Sequence, residues 1–173
     1  MVYRIRQFIW AVSCNFKEVN YEYISKFLDN EEITLFNKLK HSDKHHCIRV
    51  CNDCLKIKND RKLDIDEKVL GKIALLHDIG KSEYKLNLIQ KSLLVIMHKI
   101  TKGKLKRFSS IKAINIYYNH GIKGQEILSS NKDKYNKEIL DAIQNHHNYY
   151  IGENIKGTNN IFLEILIEAD NSN

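Results

Sequence analysis

The chain holds 173 residues, with 28 Lys and Arg against 21 Asp and Glu, 8 His, 7 Gly and no Pro. That length suits one compact domain, and 43% hydrophobic with 28% charged residues is a globular composition, which excludes disordered, collagen-like and coiled-coil chains. The formal charge of +7 favours anionic partners. The lysines are scattered, however, and no aromatic–basic stacking motif accompanies them, so no stable nucleic-acid complex is expected.

Without Pro and with few Gly, the chain lacks the usual helix breakers and the usual tight-turn residues, and an all-α fold is expected. At the N-terminus, Arg4 and Arg6 precede the apolar run Phe8–Val12, which is too short for a signal peptide. Ile5, Phe8, Ile9, Val12 and Phe16 recur with helical period and predict an amphipathic first helix. Asn20 to about Lys40 reads as a second helix, with Ile24, Phe27, Leu28, Ile33, Leu35, Phe36 and Leu39 as its apolar positions. Residues 1–40 are expected to form a helical extension packed on a core built from residues 41–173.

Ser42 or Asp43 is placed to cap the next helix, which runs to about Lys58. Cys47, Cys51 and Cys54 share a face of it. With Cys14 they read as reduced thiols of a cytoplasmic protein, and Cys51-x-x-Cys54 lacks the second ligand pair of a zinc site. Asp64 or Asp66 caps a further helix that ends at His77-Asp78, with Gly80 as its C-terminal cap. Leu86 to Ile100 is apolar and helical and stops near Gly103. The cluster Lys99, Lys102, Lys104, Lys106 and Arg107 around that glycine reads as a solvated loop. Ser109–Tyr118 and Ile122–Ser129 read as two helices split by Gly121, and Lys137–His146 follows with Ile139, Leu140 and Ile143 inward. A glycine- and asparagine-rich loop fills Asn148–Asn160. Ile161–Ala169 fits helix or strand by period, and the all-α context selects helix. No run approaches the roughly 20 apolar residues of a membrane span.

The chemistry lies in the histidines. His77-Asp78 follows Ala74-Leu75-Leu76 at the core-facing end of a helix, where an ionised carboxylate needs a partner. A metal ion is one such partner. His46, His120, His146-His147 and Asp170 also fall near helix ends or on short helices. Imidazole mixed with carboxylate suits Fe, Mn, Ni or Zn better than Ca or Mg. The set exceeds what one ion needs, so one or two divalent transition-metal ions are expected. His41, His45 and His98 are left as structural or surface residues.

The ordered words His46-Cys-Ile-Arg-Val50, His77-Asp78-Ile79-Gly80-Lys81, His120-Gly-Ile-Lys-Gly124-Gln-Glu-Ile-Leu128, Ile143-Gln-Asn-His146-His147 and Ala169-Asp170 resemble the HD superfamily of metal-dependent phosphohydrolases. The resemblance spans residues 46–170 and implies a compact helical bundle with a central metal site. It implies that His46, His77, Asp78 and Asp170 hold one ion, with Asp78 bridging to a second held by His120 and His146 and with His147 as a further candidate. Asp78 and Lys81 would carry catalysis, Lys81 by presenting a cation to the phosphate. The ligand order is closest to the HD-GYP group. The chain nevertheless continues as Asn148-Tyr149-Tyr150 with no Gly-Tyr-Pro, so cleavage of a cyclic dinucleotide is not implied. The expected function is hydrolysis of a nucleotide or another phosphate ester through a metal-activated hydroxide. The alternatives are a di-iron oxygenase on the same ligand order and a non-catalytic nucleotide-sensing module.

Overall fold

Short polar side chains fix where most helices begin, as a free carboxylate or amide oxygen at the N-cap takes up the orphan N–H groups of the first turn. In the computed structural model, residues 17–131, 134–147 and 159–173 are described, and among them the structure is all-α, with no strand. The α-helices are α1 (Tyr21–Ile24), α2 (Asn30–Phe36), α3 (His41–Asp60), α4 (Glu67–Leu76), α5 (Leu88–Ile100), α6 (Lys112–Ser129), α7 (Lys137–Asn145) and α8 (Ile161–Ser172). Two 3-10 turns, Ile79–Glu83 and Lys104–Phe108, follow α4 and α5.

The segment read as one helix from Asn20 to Lys40 is two. The chain breaks after Ile24 and restarts at a capping box, in which the Asp29 side chain accepts from the Glu32 N–H and Glu32 accepts from the Asp29 N–H. Glu32 is buried and paired with Lys72 at 2.8 Å. The following helix starts at His41 behind Lys40, with no side-chain cap, rather than at Ser42 or Asp43. Asp43 is instead buried and ion-paired with Lys91 at 2.5 Å. Asp66, not Asp64, caps α4. The run Ile161–Ala169 is helical, capped by Asn160. The expected first helix, through Phe16, and nearly all of the Asn148–Asn160 loop lie outside the described residues.

The main core gathers Ile24, Phe27 and Phe36 with the inner faces of α3, α4, α7 and α8. Helix α3 packs on α4 and α8, while α6 lies across the turn Ile79–Glu83 and along α7. A smaller cluster, Leu86, Leu94, Leu105, Ile114 and Ile116, holds α5 and the second 3-10 turn to α6.

Gly80 is not a C-terminal cap, and Gly121 does not break α6. Each is a place where two backbones touch. A Cβ on Gly80 would meet the His120 carbonyl oxygen at 2.0 Å, and one on Gly121 would meet the Gln144 carbonyl oxygen at 2.4 Å. These contacts bring the end of α4, the middle of α6 and the end of α7 together, and each of those places carries a histidine.

Cys47, Cys51 and Cys54 are fully buried free thiols. Burial pushes Cys47 and Cys54 well above their usual range and Cys51 up to about 11. In a Cys14→Ser protein, whose only thiols are these three, a thiol-reactive dye at about pH 8 should therefore label none until denaturant is added. Rapid labelling of the native protein would contradict this packing.

Candidate metal centre

Five separate elements converge on one buried point. His46 comes from α3; His77 and Asp78 from the end of α4; His120 from α6; His146 and His147 from the end of α7; Asp170 from α8. His77, Asp78, His120, His146 and Asp170 are all buried. Every candidate ligand named from the sequence is brought into this cluster, in two groups whose ligand atoms lie within 4.8 Å of one another. One is His46, His77 and Asp170, and the other is Asp78, His120, His146 and His147.

Asp78 stands between the groups. Its Oδ2 lies 3.6 Å from His77 Nε2 and 3.8 Å from His46 Nε2, while its Oδ1 lies 3.4 Å from His120 Nε2 and 3.7 Å from His146 Nε2. Asp170 faces His46 through Oδ1 at 2.9 Å and His147 through Oδ2 at 3.9 Å. The Lys81 ammonium donates to Asp78 Oδ2 at 2.5 Å.

The imidazoles are oriented by their own helices. His77 and His146 occupy the C-cap positions of α4 and α7, where the last carbonyls have no partner within the helix. Each ring turns back and donates Nδ1–H to the carbonyl three residues earlier, Ala74 at 2.8 Å and Ile143 at 2.6 Å. His120, in the middle of α6, donates to the carbonyl four residues earlier, Ile116, at 3.0 Å. A carbonyl can only accept, so the proton is on Nδ1 and the Nε2 lone pair points inward. These carbonyls are what sequence reading missed; for His77 and His146 the signal is a histidine one step past a helix end.

The inward lone pairs meet no donor. His77 Nε2, His120 Nε2, His146 Nε2 and Asp78 Oδ1 are buried without a hydrogen-bond partner. Four such atoms at one point would be very unfavourable unless a cation is shared among them. Burial holds His77 at about 4 and His120 well below its usual value, so both rings stay neutral at physiological pH. Burial alone would raise the Asp78 carboxyl, but the adjacent Lys81 ammonium outweighs it and keeps Asp78 well below the usual carboxylate range. Asp170 is likewise lowered, against the effect of burial, by its bond with His46. Neutral imidazoles and ionised carboxylates are the protonation states that a transition metal requires. Cys47 lies near enough to His77 and Asp78 to form a third group, but its thiol is held protonated by burial.

A family model described as HD domain matches residues 44–171. No curated protein and no solved structure matches the chain.

Proposed function

The chain belongs to the HD domain family, and from that premise we propose that it is a metal-dependent phosphohydrolase acting on a nucleotide or another phosphate ester. One observation carries the reading: the orphaned Nε2 atoms of His77, His120 and His146 and the orphaned Asp78 Oδ1 face one another beside the Lys81 ammonium. In this reading His46, His77, Asp78 and Asp170 hold one divalent ion. Asp78, His120 and His146 hold a second, and His147 lies within reach of both groups. Bound Fe, Mn, Ni or Zn would polarise a phosphoryl oxygen and lower the pKa of water at the site.

The chain supplies the rest. Asp78 stays ionised and, by offering one oxygen to each group, sets the spacing between them. Lys81 uses one N–H on Asp78 and has two more to direct at a phosphoryl oxygen. With 23% of its side chain exposed, it stands at the mouth of the site rather than within it. A fixed cation aimed where phosphate charge develops stabilises the transition state without reorganisation. It also favours phosphate over the uncharged substrates that an oxygenase would take.

The test is metal analysis of protein purified without added metal, followed by a panel of phosphomonoesters and phosphodiesters. The expected result is retained transition metal and hydrolysis that a chelator abolishes and added metal restores. Lys81→Met should lower kcat by about tenfold to a hundredfold while leaving the metal in place. Protein that retains no metal and hydrolyses none of the esters with Fe, Mn, Ni or Zn added would sink the proposal. Oxygen-dependent consumption of an organic substrate would assign the site to oxygenase chemistry instead.

A further inference from the structure

From Tyr84 to Gln125 the sequence carries nine Lys and Arg and no Asp or Glu. The same stretch holds Ile89, Leu93, Ile96, Met97, Ile100, Phe108, Ile111 and Ile122, which are all the exposed large apolar side chains among the described residues except Tyr21. The two properties coincide on α5. Ile89, Leu93, Ile96 and Ile100 follow helical spacing along one side, exposed at 79%, 54%, 53% and 76%. The opposite side faces the protein: Leu94 sits in the small core, and His98 Nδ1 lies 2.8 Å from the Tyr118 hydroxyl. The apolar stripe therefore faces solvent because the helix is anchored by its other face.

Cations gather at the C-terminal end of the stripe. Lys99 lies on α5 itself, and just past its end a shallow groove of about 380 Å³ is lined by His98, Lys102, Lys104, Lys106, Arg107 and Tyr118. We propose that this face docks on an anionic lipid bilayer. Ile89, Leu93, Ile96 and Ile100 enter the acyl boundary, and the exposed cations at the C-terminal end of α5 (Lys99, Lys102, Lys104, Lys106 and Arg107) meet phosphate headgroups. An aliphatic stripe flanked by Lys and Arg is the chemistry of a helix lying in the membrane interface.

Charge decides against the other occupants. A second copy offering the same face would bring the Lys and Arg at the end of α5 against their own counterparts, since the acids nearby are already paired, Asp43 with Lys91 and Glu83 and Glu126 with Lys123. Residues 1–16 supply Arg4 and Arg6 and no acid. A nucleic acid would match the charge but gain little from aliphatic side chains, which give bases nothing to stack on. The inference uses no residue of the metal centre, so it stands or fails apart from the phosphohydrolase reading.

The experiment is flotation of the full chain with vesicles of phosphatidylcholine and phosphatidylglycerol in equal parts, beside vesicles of phosphatidylcholine alone. The expected result is binding to the mixed vesicles, weaker by about tenfold or more on the neutral ones. The double variant Leu93→Asn/Ile96→Asn should lose about tenfold or more of that binding with its charge intact. Lys104→Glu/Lys106→Glu should lose a comparable amount with the stripe intact. All four positions are exposed, so helical circular dichroism and metal content should match the parent protein. Failure of the parent chain to float, or equal flotation of the Leu93→Asn/Ile96→Asn protein, overturns the proposal. A dimer in sedimentation velocity that this variant dissolves would assign the face to a second copy. Tight binding of labelled single-stranded DNA that both double variants abolish would assign it to nucleic acid.

Discussion

Asp78→Asn should reduce phosphate-ester hydrolysis by about a thousandfold or more and lower the amount of metal that co-purifies. Asn keeps the size and one carbonyl oxygen but removes the negative charge and presents an NH2 on the other side. In the native site both oxygens are used, Oδ2 toward His46 and His77 and Oδ1 toward His120 and His146. An amide would place N–H donors against one of these pairs, so half of the cluster loses its anionic partner whichever way the side chain lies. The fold should change much less. Removing one member of a fully buried ion pair costs roughly 3–5 kcal/mol, but Lys81 is partly exposed and reaches water when Asp78 no longer holds it. The measurements are kcat on the best ester found, metal per chain, and thermal unfolding after metal removal. Full activity in the Asn variant would refute the role given to Asp78.

Among the described glycines, Gly80→Ala should be the most destabilising replacement by alanine. The new Cβ would lie 2.0 Å from the His120 carbonyl oxygen, 2.7 Å from the Gly124 nitrogen and 2.9 Å from the His120 carbonyl carbon. All three are backbone atoms, so no rotamer change relieves the clash. Either the 3-10 turn or α6 must shift, and overpacking of that kind costs about 3 kcal/mol or more. Urea denaturation reads the loss directly. Any shift that relieves the contact also moves His120, and hence its Nε2, relative to Asp78. Alanine protein that still folds should therefore bind metal more weakly at matched folded fraction. An unchanged urea midpoint would show that the approach is looser than 2.0 Å implies.

How far the sequence was legible differs between the site and the scaffold. The cluster could be read because each candidate residue lies within a local word, such as His77-Asp78-Ile79-Gly80-Lys81, and the structure brings those words to one point. The helical class followed from the missing Pro and the apolar periods. The misreadings have local physical causes. Asn20–Lys40 kept its apolar period across the break at residues 25–29, and only the Asp29…Glu32 spacing marked the new start. At Gly121 the sequence shows a missing side chain, which suggests a helix break, and not the Gln144 carbonyl that approaches it. Gly80 misled in the same way. The apolar character of α5 was plain, but periodicity reports that a helix has an apolar face, not whether anything covers it.

The convergence of five elements also bears on how the chain reaches its native state. His46 and Asp170 stand near opposite ends of the described fold, and they meet only after everything between them has been closed into one loop. The entropy of closing so long a loop must be met by packing of the helices, because no partial set of neighbours along the chain forms either ligand group. A divalent ion held by these residues should then be captured late rather than seed the fold; once held it would tie α3 to α8 and slow unfolding more than it hastens folding.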